Sequence, residues 1–324
     1  MSDRNAPREV AVAVRGLTRR FGALTAVDGL DFDVGTGELF GLVGPDGAGK
    51  TTTLRMLAGV MRPSGGDAEI FGVSVAQQPE RVKDDLAYMS QRFGLYADLT
   101  VAENLAFYAD LYEVPAAERA QRYERLYAFS NLVSFRDRLA GQLSGGMKQK
   151  LGLSCALVHE PRLLLLDEPT FGVDPVSRRD LWVIVHEMVA RGVTAIVSTA
   201  YMDEAERFDR LALLHEGRVL ALDTPDALQA SLEGRLLGVR VDRPRAAREA
   251  ALGLEGVTLA TVFGERLHLA VDDAARRREA VVRALRAAGF AVEDARPLDP
   301  SLEDVFNIRI SETEAAPGPQ TAPS

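Results

Sequence analysis

The stretch Gly44-Pro-Asp-Gly-Ala-Gly-Lys-Thr51 decides the fold of this 324-residue chain. The apolar run before it, 38–43, predicts a buried strand, and the segment after it, about 50–57, predicts a helix. Glycines between a strand and a helix let backbone amides converge on a dense anion, and the helix N-terminus adds its positive dipole. The stretch therefore predicts a phosphate-binding loop in an α/β domain.

Two side chains at the end of this loop predict a triphosphate and magnesium as its ligands. Lys50 would reach the β- and γ-phosphates, and the Thr51 hydroxyl would ligate the metal. The alternative is a glycine-rich turn without a ligand, but the fixed positions match by chance in only roughly a few sequences per thousand of this composition. The residues assigned to nucleotide binding here are Gly44, Pro45, Asp46, Gly47, Ala48, Gly49, Lys50, Thr51 and Thr52.

A second apolar run, 163–166, ends in two carboxylates, Asp167 and Glu168. Because the carboxyl ends of parallel strands meet at one edge of a sheet, we expect both residues beside the phosphate-binding loop. Asp167 would hold magnesium directly or through water, and Glu168 would polarise the attacking water. Alone, the pair also fits an ordinary acidic strand end. Together with the loop, it predicts a site for nucleotide hydrolysis.

The segment Leu143-Ser-Gly-Gly-Met147 predicts a second anion-binding helix N-terminus. Ser144 can cap the helix, while Gly145 and Gly146 expose its amides. One chain does not need two such sites for a single nucleotide. We therefore expect a head-to-tail dimer, in which the second site of each chain closes over the triphosphate of its partner.

Periodicity divides the chain into two domains and two polar ends. Residues 11–223 alternate short apolar runs with helical stretches, and a helical block at about 92–158 is inserted into this α/β pattern. Residues 224–310 follow a βαββαβ order, which is typical of a small ferredoxin-like α+β domain. The N-terminus, 1–10, is expected to be flexible, and the Pro-containing tail, 311–324, is expected to be disordered.

Composition excludes several classes of function. The formal net charge of −9 argues against broad electrostatic capture of nucleic acid. The single cysteine, Cys155, rules out an intramolecular disulfide, and its apolar helical surroundings predict a buried thiol. The most apolar stretches, 151–158 and 192–202, fall short of the roughly 20 residues of a membrane span. We expect a soluble chain, and docking on a membrane protein stays open.

The three motif segments, in this order and spacing, resemble the ATP-binding subunit of an ABC transporter. The resemblance covers nearly the whole chain and implies an α/β P-loop NTPase (RecA-like) cassette with an inserted helical subdomain. It also implies an ATPase that couples hydrolysis of ATP, with Mg²⁺, to transport. By this resemblance the catalytic residues are Lys50, Gln91 and Glu168, and the magnesium ligands are Thr51, Gln91 and Asp167.

Three further residues take roles from the resemblance. Phe21 would stack on adenine, although it also fits a core position on an early strand. Gln91, which ends Ala87-Tyr-Met-Ser-Gln91, matches the glutamine loop, where the side chain senses magnesium and the attacking water. Asp174 matches the loop that communicates across the dimer, and it also fits a helix cap.

Within this family, the sequence is most similar to the ABC-2 exporters, which include drug-resistance pumps. The runs that carry this likeness are 93–96, 98–105 and Pro300-Ser-Leu-Glu-Asp-Val-Phe306, although the last also fits an ordinary helix cap at Ser301. The likeness implies separately encoded membrane permease subunits and a cytoplasmic chain on the inner face of the cell membrane. The candidate docking residues, which also fit packing within the helical block, are Phe93, Leu95 and Tyr96.

Two residues depart from the family pattern. Asp46 stands where the loop usually has Asn, and a carboxylate beside a polyphosphate is electrostatically unfavourable. Ala200 stands at the position of the switch histidine, which normally contacts the γ-phosphate, and Ala cannot donate a side-chain hydrogen bond. Both departures resemble the amino-terminal half of tandem ABC-2 ATPases. We therefore favour a heterodimer in which this chain carries the degenerate site, while a homodimer that tolerates Ala200 stays open.

Two other classes of function remain as alternatives. A soluble ABC ATPase acting on ribosomes would typically carry two cassettes and a basic linker. A nucleotide-binding regulatory subunit that does not hydrolyse ATP fits Ala200, although intact Asp167 and Glu168 argue against it. By the resemblance, specificity for the transported substrate would lie in the membrane subunits.

Overall fold

The computed structural model describes residues 9–91 and 94–315. The chain divides into two compact units between Val219 and Leu220, just before the predicted boundary at 223/224. Among the described residues, no helix is long and apolar enough to cross a membrane.

The first unit alternates strands and helices. Its strands are β1 (Val10–Phe21), β2 (Leu24–Gly35), β3 (Leu39–Val43), β4 (Gly65–Ile70), β5 (Val73–Ser74), β6 (Leu86–Met89), β7 (Leu163–Asp167), β8 (Thr194–Thr199), β9 (Arg210–His215) and β10 (Arg218–Asp223), which crosses the division. Its helices are α1 (Lys50–Leu57), α2 (Pro79–Val82), α3 (Val101–Leu111), α4 (Ala116–Ser130), α5 (Gly145–Leu157) and α6 (Pro175–Ala190). Short 3₁₀ turns lie at Val133–Phe135, Ala140–Gln142 and Met202–Arg207.

A six-stranded sheet of order β10-β9-β3-β8-β7-β6 forms the centre of this unit, and its strands from β9 to β6 run parallel. Every residue of β3, β7 and β8 is buried, as expected for parallel strands covered on both faces. In the register, Val43 lies opposite Thr199 and Asp167 lies opposite Ser198. The loops that follow β3, β7 and β8 therefore meet at one edge of the sheet.

A separate antiparallel sheet of order β2-β1-β4-β5 belongs to the same unit. Strands β1 and β2 are joined by a tight turn in which Gly22 has φ 58°. This conformation favours glycine because a Cβ would crowd the backbone. The turn places Phe21 at the end of β1, opposite Leu24.

The predicted helical block is present as α3, α4 and α5, inserted between β6 and β7. Helix α3 begins with a capping box: Thr100 Oγ1 accepts from the Glu103 amide at 3.1 Å, and the Glu103 carboxylate accepts from the Thr100 amide at 2.7 Å. These bonds lower the pKa of Glu103. Cys155 is fully buried in α5, and burial raises the pKa of its thiol. The prediction of a buried thiol is confirmed.

The second unit has the predicted βαββαβ order, preceded and followed by helices. Its elements are α7 (Pro225–Ala230), β11 (Leu236–Val241), α8 (Pro244–Leu252), β12 (Val257–Phe263), β13 (Arg266–Val271), α9 (Ala274–Ala287), β14 (Val292–Pro297) and α10 (Leu302–Ala315). The sheet has the order β12-β13-β11-β14 with antiparallel neighbours, the ferredoxin-like arrangement. Its core contains Val239, Leu267, Leu269 and Leu285.

The C-terminal helix α10 runs past the predicted domain end at 310 to Ala315, so the prediction of a disordered tail from 311 is wrong for its first residues. Glu312 accepts from Arg309 at 2.9 Å and from Arg235 at 3.2 Å, and Thr313 Oγ1 donates to the Arg309 carbonyl at 2.9 Å. These bonds fix the last turn of α10 within the second unit. Residues 1–8 and 316–324 lie outside the described residues.

Candidate functional site

The backbone of the phosphate-binding loop requires glycine at two positions. A Cβ on Gly44 would lie 2.2 Å from the Leu214 carbonyl oxygen. Gly49 has φ +98°, and a Cβ there would lie 2.7 Å from the Ala26 carbonyl oxygen. The loop therefore packs directly against neighbouring backbone. Of the other loop residues, Pro45, Asp46 and Gly47 are exposed, Ala48 is buried, and Thr52 is half-buried.

Lys50 is the buried cation of the site. Its Nζ donates to the carbonyl oxygens of Gly44 at 2.8 Å and Pro45 at 3.0 Å. The same atom lies 3.0 Å from Glu168 Oε1, and the two side chains are 4% and 9% exposed. A buried ion pair of this kind is maintained only when both charges keep their partners. The structure thus joins the loop cation to the predicted catalytic carboxylate.

The predicted magnesium ligands Thr51 and Asp167 are in contact. Thr51 Oγ1 donates to Asp167 Oδ1 at 2.9 Å, and Ser198 Oγ donates to the same oxygen at 2.8 Å. A hydroxyl beside a single carboxylate suits Mg²⁺, which takes hard oxygen ligands and commonly keeps phosphate oxygens and waters as the remainder. The residues present therefore fit the metal.

Tyr88 joins this group, although its motif alone predicts no role for it. Its hydroxyl donates to Asp167 Oδ2 at 3.3 Å. Burial, and then the negative charge of Asp167, raise the pKa of Tyr88 to about 12. The phenol therefore stays protonated and keeps its donor directed at Asp167. A signal was present in the sequence, because Tyr88 lies only three positions before Gln91 on the strand that adjoins β7.

Glu168 is held from three sides. Gln91 Nε2 donates to Glu168 Oε2 at 3.0 Å, while Lys50 contacts the other carboxylate oxygen. The Glu168 amide donates to Ser198 Oγ at 2.9 Å. Its φ of 48° is rare for a residue with a side chain, and such strain persists only where surrounding contacts impose it. In this structure Gln91 therefore contacts Glu168, and its predicted role as a magnesium ligand stays a prediction.

The segment at the start of α5 departs in part from the prediction. Ser144 caps the helix, with Oγ accepting from the Met147 amide at 3.3 Å, and Ser144 and Gly145 are exposed. Gly146 is buried against α6, so closely that a Cβ there would lie 2.2 Å from Ser177 Oγ. Gly145 is therefore open to solvent, whereas Gly146 is covered and permits the two helices to approach; exposure of their amides to an anion stays a prediction.

Asp174 caps helix α6. Its Oδ1 accepts from the amides of Val176 at 3.1 Å and Ser177 at 3.0 Å. The hydrogen bonds from Ser177 lower the pKa of Asp174. The alternative of a helix cap is confirmed. A role for Asp174 in communication across a dimer stays a prediction.

Phe21 is 44% exposed, so the alternative of a core position is wrong. The guanidinium carbon of Arg19 lies 4.6 Å from the centre of its ring. An exposed aromatic beside a cation is available for stacking on a base. Its contact with adenine stays a prediction.

The candidate docking residues have different surroundings. Phe93 lies outside the described residues, Leu95 is half-buried, and Tyr96 is 46% exposed. Buried Asn104 fixes this segment by accepting from the Tyr96 amide at 2.9 Å and donating to the Tyr96 carbonyl at 3.1 Å. The ring of Tyr96 also packs edge-on against Phe107. Packing within the helical block and an exposed aromatic edge are both present at Tyr96.

Lys50, Thr51, Gln91, Asp167 and Glu168 are thus brought together at one edge of the central sheet. Within the described part of the chain, no hydrogen bond joins Ser144, Gly145 or Phe21 to this group. A second anion site at the start of α5 stays a prediction.

Comparison with known families matches residues 27–171 to the family described as ABC transporter. The daunorubicin resistance ATP-binding protein DrrA2 of Streptomyces coeruleorubidus is 36% identical over 301 residues, which cover 91% of this chain and 94% of that protein. The chain belongs to the family of ABC transporter ATP-binding proteins. The predicted family and its P-loop NTPase fold are confirmed.

Two other similarities agree with this membership. The probable multidrug ABC transporter ATP-binding protein YbhF of Escherichia coli (strain K12) is 43% identical over 303 residues, which cover 92% of this chain and 52% of that protein. The chain therefore spans about half the length of that relative. A solved structure of the ATP binding subunit of an ABC transporter is 33% identical, with a TM-score of 0.63, and the match covers 68% of this chain and 92% of that chain.

The two departures from the family pattern occupy different environments in this cassette. Asp46 is exposed, so water screens its charge. Ala200 is half-buried and directly follows β8. The Gly44 amide donates to the Thr199 carbonyl at 3.2 Å, which brings the switch position next to the start of the phosphate-binding loop. A methyl group therefore stands where the family uses an imidazole.

Proposed function

We propose that this chain is the ATP-binding motor subunit of an ABC-2 type export complex and hydrolyses ATP to drive a separate membrane permease. The convergence of Lys50, the pair Thr51 and Asp167, and the pair Gln91 and Glu168 carries the proposal. The names of the relatives, a probable multidrug transporter protein and a daunorubicin resistance protein, support drug-like cargo.

The chemistry assigned to the site is an in-line attack of water on the γ-phosphorus. The loop amides, the dipole of α1 and Lys50 would stabilise the negative charge of the phosphates. Thr51 and Asp167 would hold Mg²⁺, which when bound neutralises charge on the phosphate oxygens. Glu168 would accept one proton from water while a new O–P bond forms and the bond to the bridging oxygen breaks, leaving ADP and phosphate.

The Lys50–Glu168 contact suggests how this cycle is ordered. In the structure one cation serves the catalytic carboxylate and the loop carbonyls together. A bound polyphosphate would attract Lys50 toward its own charge. Glu168 would then lose its cationic partner and become a better proton acceptor, with Gln91 retained as its orienting donor.

Ala200 supports the finer proposal of a degenerate site. Without an imidazole at the γ-phosphate, this chain's own site would bind ATP and hydrolyse it slowly. The exposed pair Ser144 and Gly145 would instead complete the site of a second ATPase that retains the histidine. We favour this heterodimer, and a homodimer is the competing arrangement.

Ala200 also favours one other function, a nucleotide-binding regulatory subunit without turnover. The intact pair Asp167 and Glu168 distinguishes the two, because a regulator does not need an oriented general base. Steady ATP turnover by the isolated chain, abolished by Glu168→Gln, would exclude the regulator. Turnover that is absent from the isolated chain and from its assembled complex would favour it.

The membrane partner and the location of the chain are tested by affinity purification of the tagged chain from mild-detergent membranes. Companions would be identified by mass spectrometry. We expect a multispan permease and a second ATPase with histidine at the position equivalent to Ala200. A permease with this ATPase alone would support transport and contradict the heterodimer. Recovery without any membrane companion would contradict the export proposal and favour a soluble ATPase.

A further inference from the structure

Glu204 is a buried carboxylate that the motifs leave unexplained. It is 1% exposed and lies in the 3₁₀ turn that follows the switch position. Three side chains donate to it: Thr170 Oγ1 at 3.0 Å, Trp182 Nε1 at 3.1 Å and Thr199 Oγ1 at 2.7 Å. A carboxylate buried so completely is retained only when donors satisfy it.

The three donors come from three different segments of the first unit. Thr170 follows the catalytic Glu168 by two positions, and Thr199 is the last residue of β8. Trp182 is a fully buried residue near the middle of α6. We call Thr170, Trp182, Thr199 and Glu204 the Glu204 cluster. It connects the end of β7, the end of β8 and helix α6 through one side chain.

We call residues 199–204, which surround Ala200, the switch segment. Arg178 strengthens the connection between this segment and α6. Its Nε lies 3.8 Å from Glu204 Oε1, and its guanidinium carbon lies 4.5 Å from the centre of the Tyr201 ring. Tyr201 directly follows Ala200 in the chain, and its amide donates to Thr199 Oγ1 at 3.0 Å. Thr199 is therefore bound to Glu204, and Tyr201 contacts α6 through Arg178. The methyl group of Ala200, between them, cannot form a hydrogen bond.

The cluster reaches the phosphate site through the end of β8. The Thr199 carbonyl accepts from the first amide of the phosphate-binding loop, at Gly44. The neighbouring Ser198 donates to Asp167 and accepts from the Glu168 amide. Displacement of Thr199 would therefore shift contacts to the loop, the metal ligand and the general base together.

We propose that Glu204 is a positioning residue for the nucleotide site, fixing the switch segment against β7 and helix α6 so that changes at the phosphates reach Trp182. A carboxylate suits this task because it has only acceptor oxygens and can receive all three donors at once. This inference concerns nucleotide binding by the chain itself and does not depend on a permease or on a second ATPase.

The test compares Glu204→Gln, Thr199→Val and a matched control, Glu38→Gln, in the full chain. Glu38 is also a buried carboxylate, 4% exposed, with Oε2 accepting from the Gly35 amide at 2.6 Å. It lies just before β3, at the strand end remote from the loop. Calorimetry would measure the Kd for MgATP, and fluorescence would follow the single tryptophan, Trp182, during the same titration.

We expect MgATP to change Trp182 emission in the wild type and in Glu38→Gln, with similar Kd values. Glu204→Gln should raise the Kd about tenfold, the factor that loss of one charged hydrogen bond commonly gives. It should also reduce the change in Trp182 emission severalfold. Thr199→Val keeps the shape of the side chain but removes one donor to Glu204 and the acceptor of the Tyr201 amide, and it should raise the Kd by about threefold.

Three outcomes would overturn the proposal. One is a folded Glu204→Gln protein with the wild-type Kd and the wild-type emission change. Another is an equal loss in Glu38→Gln, which would indicate general destabilisation. The third is a wild-type Trp182 signal that does not respond to MgATP. If Glu204→Gln does not fold, an unchanged Kd in Thr199→Val contradicts the proposal.

Discussion

Single residues decide the chemistry of this site, and Lys50 is the clearest case. Its ammonium group serves two loop carbonyls and the carboxylate of Glu168 while almost fully buried. A buried charge that loses its partner carries a large desolvation cost. Lys50 therefore links the phosphate-binding loop to Glu168, the proposed general base.

Tyr88 gives a prediction at the same scale. Tyr88→Phe removes the donor to Asp167 and leaves the ring in place. We expect the Mg²⁺ concentration for half-maximal ATP binding to rise about threefold, because Asp167 loses one of its orienting bonds. Affinity for ATP without Mg²⁺ should stay unchanged. Titration of Mg²⁺ at fixed ATP measures this effect.

Tyr123→Phe provides the control, since this half-buried tyrosine lies on α4, away from the metal ligands. If Tyr88→Phe and the wild type show the same Mg²⁺ dependence, the Tyr88 hydroxyl does not contribute to magnesium binding by Asp167.

The motif residues could be predicted from sequence, because a loop between strand and helix and two carboxylates at a strand end each require specific residue types. Lys50 and Asp167 are of this kind. The position of Tyr88 close to Gln91 is a signal, but the contacts that Tyr88, Glu204 and Gly146 make could not be predicted, because they depend on which segments meet in three dimensions. The donors to Glu204 lie up to 34 positions away in the chain.

At the scale of elements, helices α5 and α6 meet through a contact that only glycine permits. Gly146 lies against Ser177 at the start of both helices. The contact therefore sets the distance between the exposed serine cap at Ser144 and the cap of α6 at Asp174. Local patterns predicted both caps, but they gave no information about this approach.

Gly146→Ala should lower the free energy of unfolding by about 2 kcal/mol, as overpacking of a close contact commonly does. Gly145→Ala is the matched control for stability, because a Cβ there has nothing within 4 Å. Urea unfolding followed by Trp182 emission gives both values. Adding Ser177→Gly to Gly146→Ala should restore most of the lost free energy of unfolding. Equal stability of Gly146→Ala and Gly145→Ala would contradict the close approach of Gly146 to Ser177.

At the scale of the whole molecule, sequence pattern predicted the cassette and the βαββαβ unit, because apolar runs at regular spacing specify the strands of each unit. It did not predict the extent of α10. That helix ends in contacts between Glu312 and Arg235, which are 77 positions apart. Such long-range ion pairs have no signature in a local window.

The stability of the first unit should depend on pH through His159. Burial lowers the pKa of this imidazole, which stacks on Tyr112 with ring centres 4.0 Å apart. The folded state therefore favours the neutral ring. Its contribution is fully present above the unfolded pKa of about 6.5 and is lost as pH falls toward the lower folded pKa.

His159→Phe keeps an aromatic ring against Tyr112 and removes the titrating group. Urea unfolding followed by Trp182 emission should show that the wild type loses more stability than His159→Phe between pH 8 and pH 5. The same loss in both proteins would assign the pH dependence to other groups.

The central claim is that this cassette carries a nucleotide site limited by Ala200 at the switch position. The most direct measurement is the rate of ATP hydrolysis by the assembled complex containing either wild-type chain or Ala200→His. We expect a higher rate with Ala200→His, and Glu168→Gln in the same chain should remove this increase. An unchanged rate with Ala200→His would contradict the degenerate-site account.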